Sequence, residues 1–363
     1  MFYHFLYPLK DFWFGFNVFK YITFRAAGSA VTAFFLSIIL GPIVIKKLKE
    51  LKIRQSVYRD DAPCIYEYHK VKEGTPTMGG VLIVGSMMIS TLLWANLSNI
   101  YIIMTLFSTL FLAAVGFKDD YLKLKNKNSH GLTARKKFLG QLLLGFIIGI
   151  YVVFFNHDIP KTLDIPFFKK VIIDLGVFYV FFTMLVIIGS SNAVNLTDGL
   201  DGLAIGCATM VALTYSIISY MTGNINISNY LNIFYIPGSG ELTVFCAALV
   251  GSSLGFLWFN SYPATVFMGD TGSLAIGGAI GVVAVFIKKE ILLLIVGGIF
   301  VMEALSVILQ VASFKLRKKR IFLMAPIHHH FQLKGWSESK ITIRFWIIAS
   351  ILALFSLATL KLR

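Results

Sequence analysis

Long apolar runs separated by short polar connections recur along the whole chain, and their lengths set the first expectation. Several runs reach the roughly 20 residues that a helix needs to cross about 30 Å of hydrocarbon. A membrane β-barrel would instead show segments of about ten residues with strict alternation. The pattern predicts ten spanning helices, near residues 22–45, 77–95, 100–117, 138–155, 171–190, 200–221, 242–259, 264–287, 291–314 and 341–361. No long polar block separates them, so the expectation is one integral all-α membrane domain covering residues 1–363. Residues 1–21 are rich in Phe and Tyr and lack the apolar core and small-residue cleavage site of a signal peptide. They are expected to lie at the membrane interface, where aromatic rings are favoured.

Composition agrees with that reading. Hydrophobic residues make up 57% of the chain and the mean hydropathy is +0.76, above what a soluble globular chain carries. The net charge of +15 would suit a nucleic-acid binder, but the positions of the charges argue against one. Segments 46–75, 118–137 and 315–340 hold 22 of the 33 Lys and Arg residues, whereas segment 222–241 holds none. With ten spans the three basic segments fall on one side, which by the positive-inside rule is the cytoplasm, and both termini fall outside. Their charge also suits anionic lipid or an anionic substrate. The three cysteines, Cys64, Cys207 and Cys246, form neither a disulfide framework nor a Cys-x-x-Cys pair.

Acids near hydrocarbon are costly and mark function. Asp119 and Asp120 are placed at the end of the third span, Asp198 and Asp201 at the start of the sixth, and Asp270 early in the eighth. All five then lie on the cytoplasmic side, which points to a single site. Asn195, Asp198 and Asp201 recur every third residue and would share a face if helical. They suit uridine, sugar hydroxyls or a hydrated metal; a helix N-terminus capped by Asp and Asn is the alternative. The spacing of an EF-hand is absent. Neighbouring Asp119 and Asp120 would point about 100° apart and so serve different ligands.

The stretch from Asn260 to Ser273 carries glycines that allow close backbone approach, helix-start amides that could hold a phosphate, and Asp270 as a natural magnesium ligand. It lacks the Gly-Lys-Ser/Thr ending of a P-loop. His328-His329-His330 resembles a zinc cluster only superficially, because three consecutive residues cannot all aim at one metal. Contacts to phosphate or sugar, or no role at all, are the other readings. Lys72 and the run Gly74 to Gly80 lead into the second span, where Pro and Gly could serve a ligand or merely start the helix. Glu303, mid-way along the ninth span, is either a functional acid or a packing partner for another polar group. Gly297-Gly298 could bend that long span and open a groove.

Lys72 to Gly80, Phe117-Lys118-Asp119-Asp120, Ser191 to Gly202, Asn260 to Ser273, Glu303 to Gln310 and Ala325 to His330 together make the chain resemble the phospho-N-acetylmuramoyl-pentapeptide transferase family along its whole length. The resemblance implies a ten-span homodimer in the bacterial cytoplasmic membrane. It also implies transfer of phospho-N-acetylmuramoyl-pentapeptide from its UDP carrier to undecaprenyl phosphate, giving lipid I and UMP with Mg2+, in the first membrane step of peptidoglycan synthesis. By motif, it implies Asp119, Asp120 and Asp270 as catalytic, with Asp270 on the metal. Lys72, Thr77, Asn195, Asp198, Asp201, Asn260, Phe267, Gly269, Ser273, Gln310, His328, His329 and His330 are implied to bind substrate. Residues 58–70 look unusual for the family. A transporter would place its acids at mid-membrane and show inverted repeats. A lipid-binding scaffold would need no five acids at one site.

Overall fold

The computed structural model describes residues 1–51, 72, 74–125, 131–167 and 172–361; the unusual stretch at 58–70, with Cys64, lies outside them. Ten long helices make up the body. They are α1 Ile22–Glu50, α2 Gly80–Trp94, α3 Ile100–Lys125, α4 Ala134–Ile150, α5 Tyr179–Thr197, α6 Leu203–Thr222, α7 Leu242–Asn260, α8 Gly269–Phe286, α9 Gly298–Arg317 and α10 Glu338–Thr359. The one sheet among the described residues is an antiparallel hairpin, Thr162–Asp164 with Ile172–Asp174.

Nine of the predicted spans are, among the described residues, helices long and apolar enough to cross a membrane. The exception, α2, has 15 residues and rises only about 22 Å. Its two ends nonetheless reach the two ends of the bundle. The Trp94 carbonyl accepts from Arg25 near the start of α1, and Gly80 lies against Gly272 near the start of α8. Contacts of the other helices alternate in the same way. Ser29 and Ser37 of α1 bond to carbonyls of Val244 and Ser252 in α7, so those two helices run in parallel. The starts of the even-numbered helices and the ends of the odd-numbered ones therefore share one end of the molecule, here called the basic end.

Four boundaries differ from the hydropathy pattern, each for a local reason. Helix α3 continues to Lys125, so Asp119 and Asp120 lie within a helix and do not end one. Helix α5 starts at Tyr179 because the apolar Ile172-Ile173 pair is spent on the hairpin strand. Helix α8 starts at Gly269, since Phe267 and Met268 pair with the segment leading into α2. Phe267 N–H donates to Pro76 O, and the N–H groups of Gly79 and Gly80 donate to Phe267 O and Met268 O, each at 2.8 Å. The Pro and Gly run before α2 thus stitches two helix starts together. The ninth run breaks at Gly297, with a short turn Leu293–Val296 before it and α9 after it.

Helix α8 is the axis of the bundle, buried over 89% of its length and packed on α3, α5, α2 and α6. Glycines permit this: a Cβ at Gly116 of α3 would lie 2.2 Å from the Asp270 carbonyl oxygen. The opposite end is tied by buried ion pairs, Arg25 with Glu241 at 2.6 Å and Lys289 with Asp164 at 2.5 Å. The N-terminal segment leaves Phe5, Phe12, Trp13 and Phe14 exposed there.

Candidate active site

At the basic end, ligand oxygens of Asp119, Asp120 and Asp270 all lie within 4.8 Å of one another, the one such cluster among the described residues. The helices put them there in different ways. Asp120 acts as an N-cap for α8 from outside that helix. Its Oδ1 accepts the Asp270 N–H at 3.2 Å, and its Oδ2 accepts the Thr271 N–H and hydroxyl at 2.9 and 2.7 Å. Two of the free amides that begin α8 are therefore occupied by one acid, and the expectation that these amides hold a phosphate is corrected there: the Asp120 carboxylate of α3 already fills that place. Gly269 takes φ +73 between the extended segment and the helix, and a Cβ there would meet Asp120 Oδ2 at 2.9 Å.

Asp119 faces elsewhere, as adjacent helical positions must. Its Oδ1 accepts the Leu132 N–H at 2.8 Å, and its Oδ2 lies 2.6 Å from Lys123 Nζ and 3.4 Å from Lys137 Nζ. The same two ammonium groups meet Asp270 Oδ2 at 2.9 and 2.6 Å. Two lysines thus hold two of the three carboxylates. The sequence reading missed both, because basic residues at this end are already explained by topology; the i, i+4 spacing of Asp119 and Lys123 was the available signal.

Asn195, Asp198 and Asp201 do not share a helical face. Helix α5 ends at Thr197, with Asp198 as its C-cap, and Asp201 sits in the turn before α6. They still line one region. Ser273 Oγ donates to Asn195 Oδ1 at 2.9 Å and to Gly269 O at 3.1 Å. Burial pushes the Asp198 carboxyl up to about 8, and the charges of Asp270, Asp120 and Asp201 act in the same direction. A cation arriving among these acids would act in the opposite direction and draw it back down.

Asp201 belongs to a second cluster. Lys72 Nζ lies 2.7 Å from Asp201 Oδ1 and 2.5 Å from Glu338 Oε1, and 6.0 Å from the centre of the Phe267 ring. Asn260 spends both ends of its amide nearby, accepting the Gly202 N–H and donating to Val266 O. Thr77 is buried beside Gly269.

The three histidines bond to different partners. His328 is buried, with Nδ1 3.1 Å from Glu303 Oε2 and Nε2 against Gly199, where a Cβ would lie at 2.3 Å. His329 Nδ1 meets Gln332 Oε1 at 2.7 Å, and His330 Nδ1 accepts the Leu323 N–H at 3.1 Å. The three do not gather as a metal cluster among the described residues, and Glu303 proves to be the partner of His328. Gln310 is not brought to the acids: its amide clips the backbone of Ile321 and Phe322 to α9. Beside that clip an apolar groove of about 340 Å3 runs along α9, lined by residues including Gly298, Met302, Leu305, Phe322 and Ile327. Gly298, just after the Gly297 break, is among its lining residues.

The comparisons with known proteins agree over the whole chain. A family model described as glycosyl transferase family 4 matches residues 102–288, and one described as phospho-N-acetylmuramoyl-pentapeptide-transferase signature 1 matches residues 72–84. Proteins named phospho-N-acetylmuramoyl-pentapeptide-transferase from Desulfotalea psychrophila and Citrifermentans bemidjiense are each 55% identical, over 364 and 363 residues. One from Thermodesulfovibrio yellowstonii is 54% identical over 366 residues. In each case the alignment covers 100% of both chains.

Proposed function

From the premise that the chain belongs to the phospho-N-acetylmuramoyl-pentapeptide-transferase family, within glycosyl transferase family 4, we propose that it moves phospho-N-acetylmuramoyl-pentapeptide from UDP to undecaprenyl phosphate. The products are lipid I and UMP. A phosphate oxygen of the lipid forms a bond to the sugar-bearing phosphorus, the bond from that phosphorus to the bridging oxygen breaks, and UMP leaves with the electron pair. The observation that carries this reading is the convergence of Asp119, Asp120 and Asp270 with Lys123 and Lys137 at the basic end. Phosphoryl transfer asks for positioning and charge neutralisation more than for covalent chemistry.

An all-oxygen set of carboxylates suits a hard cation. Magnesium fits here, and Asp270, the least buried of the three acids, would hold it with Asp119 or Asp120 within reach. When bound it supplies neutralising charge to the pyrophosphate. Lys123 and Lys137 add positive charge at the same place. Asp119, engaged by Lys123, Lys137 and the Leu132 N–H, favours an orienting role over a nucleophile that would have to leave all three. Little proton removal is needed, since a phosphate monoester with its second pKa near ~6 is mostly dianionic at neutral pH.

Lys72, Asp201 and Phe267 offer a donor, an acceptor and a ring face, which suits the uracil end of the nucleotide. His328 and His329 are assigned to the sugar phosphate. The groove along α9 takes the prenyl chain, with its phosphate delivered to the acids. The proposal places the protein in the bacterial cytoplasmic membrane as a homodimer, with this site facing the cytoplasm. Purified protein given UDP-N-acetylmuramoyl-pentapeptide, undecaprenyl phosphate and Mg2+ is expected to release UMP and form lipid I; release of no UMP overturns the reading.

A further inference from the structure

The first turns of α10 carry a polar stripe at i, i+4 and i+8 that grips two consecutive residues of the α5–α6 turn. Glu338 Oε1 accepts the Asp201 N–H at 2.6 Å, Thr342 Oγ1 donates to Asp201 O at 3.2 Å, and Trp346 Nε1 donates to Gly202 O at 3.1 Å. Gly206 makes room for the last of these, since a Cβ there would lie 2.1 Å from Trp346 Nε1. A clamp built only to hold the turn could use neutral partners throughout. Glu338 brings a charge, and the same Oε1 also accepts from Lys72 Nζ at 2.5 Å.

The result is a closed ring. Lys72 bonds to the Asp201 side chain, the Asp201 backbone bonds to Glu338, and Glu338 returns to Lys72. Asp201 Oδ2 is held in turn by the Ala264 N–H at 3.0 Å. All three charged side chains are nearly dry, 11% exposed for Lys72, 1% for Asp201 and 8% for Glu338. One cation between two carboxylates leaves a negative excess, a poor arrangement for a phosphate and a suitable one for a neutral base that must both donate and accept. Glu338 lies in the first turn of its helix, where the dipole favours a carboxylate. It is therefore the fixed point of the ring, while the long stem of Lys72 is the part that can move.

We infer that Glu338 is a positioning residue for nucleotide binding, holding the Lys72 ammonium and the Asp201 peptide in the geometry that receives the base. This rests on the transferase reading given above. Glu338 does not touch the acid cluster, so its effect falls on nucleotide affinity and not on the transfer step.

The test is steady-state kinetics of purified protein with both substrates varied, together with calorimetric binding of UMP. Glu338→Gln keeps an acceptor for the Asp201 N–H and removes only the charge. It is expected to raise the nucleotide-sugar KM about ten-fold and weaken UMP binding by a similar factor, with kcat within about two-fold and the KM for polyprenyl phosphate unchanged. In a Lys72→Gln background the same change adds nothing further, because the two groups act as one unit. Glu338→Asp, which restores the charge, recovers part of the lost affinity and serves as the second variant if the amide disturbs folding. A wild-type nucleotide KM in Glu338→Gln, or a fall in kcat with KM unchanged, overturns the inference and leaves the activity standing. A wild-type protein that releases no UMP and binds none overturns both.

Discussion

Asp270 is the residue whose loss the geometry predicts to be most severe. It lies 2.6 Å from Lys137 and 2.9 Å from Lys123, and its own N–H is fixed by Asp120. Asp270→Asn removes the charge and keeps the shape. Turnover is expected to fall by at least about 100-fold, the scale seen when one electrostatic stabiliser is deleted, while the thermal melting of the purified protein stays close to wild type. UMP release at near-normal rate would remove Asp270 from the site. The acids were legible in the sequence because a carboxylate near hydrocarbon is costly enough to stand out. Lys123, Lys137 and Glu338 were not. Lysines at a cytoplasmic helix end carry a topological explanation that hides a second role, and Glu338 lies before the apolar run that marked its span. Asp120 was legible as functional but not as a cap, since its partner amides are 150 residues away in the chain.

At the scale of helices, the site depends on how closely α3 approaches the start of α8. A methyl group at Gly116 would collide with backbone, 2.2 Å from Asp270 O, whereas one at Gly85 or Gly189 would meet nothing within 4 Å. Gly116→Ala must therefore push α3 and α8 apart and separate Asp119 and Asp120 from Asp270. Displacements of about 1 Å can cost on the order of 100-fold in rate without removing any reacting group, and overpacking costs about 1–3 kcal/mol of stability. The expected result is a folded protein with strongly reduced UMP release, beside Gly85→Ala and Gly189→Ala proteins with wild-type rates. Equal activity in all three would show that the approach of α3 to α8 does not set the site. Hydropathy alone could not reveal this contact. It found the spans because apolar runs are long, and it misplaced the ends of α3, α5 and α8 because polar extensions, a strand pairing and a paired loop at those ends leave no hydropathy signal.

For the whole molecule, the open quantity is orientation. The charge asymmetry predicts a cytoplasmic place for the loops after α1, α3 and α9, and the packing independently gathers the ends of those helices at the end that carries the acids. Lys125 and Lys319 are exposed at that end. Asn229 is exposed at the other, in the short helix Ile225–Leu231 whose neighbour Tyr230 accepts a hydrogen bond from Lys361 near the C-terminus. Cys207 and Cys246 are buried, so replacing Cys64 with Ser leaves a chain with no accessible thiol among the described residues. Single cysteines placed at Lys125 or Lys319 should then react with a membrane-impermeant maleimide only after the cytoplasmic side is opened, and one at Asn229 should react in intact cells. The short helix α2 makes the experiment decisive. If it did not complete a passage, the ends of α1 and α3 would fall on opposite sides, and every later loop would invert relative to the N-terminus. Labelling of Asn229 and Lys319 from the same side would break the ten-passage arrangement. Labelling of Lys319 from outside would place the site away from the cytoplasm, where a nucleotide-linked sugar is made, and would overturn the transferase orientation with it.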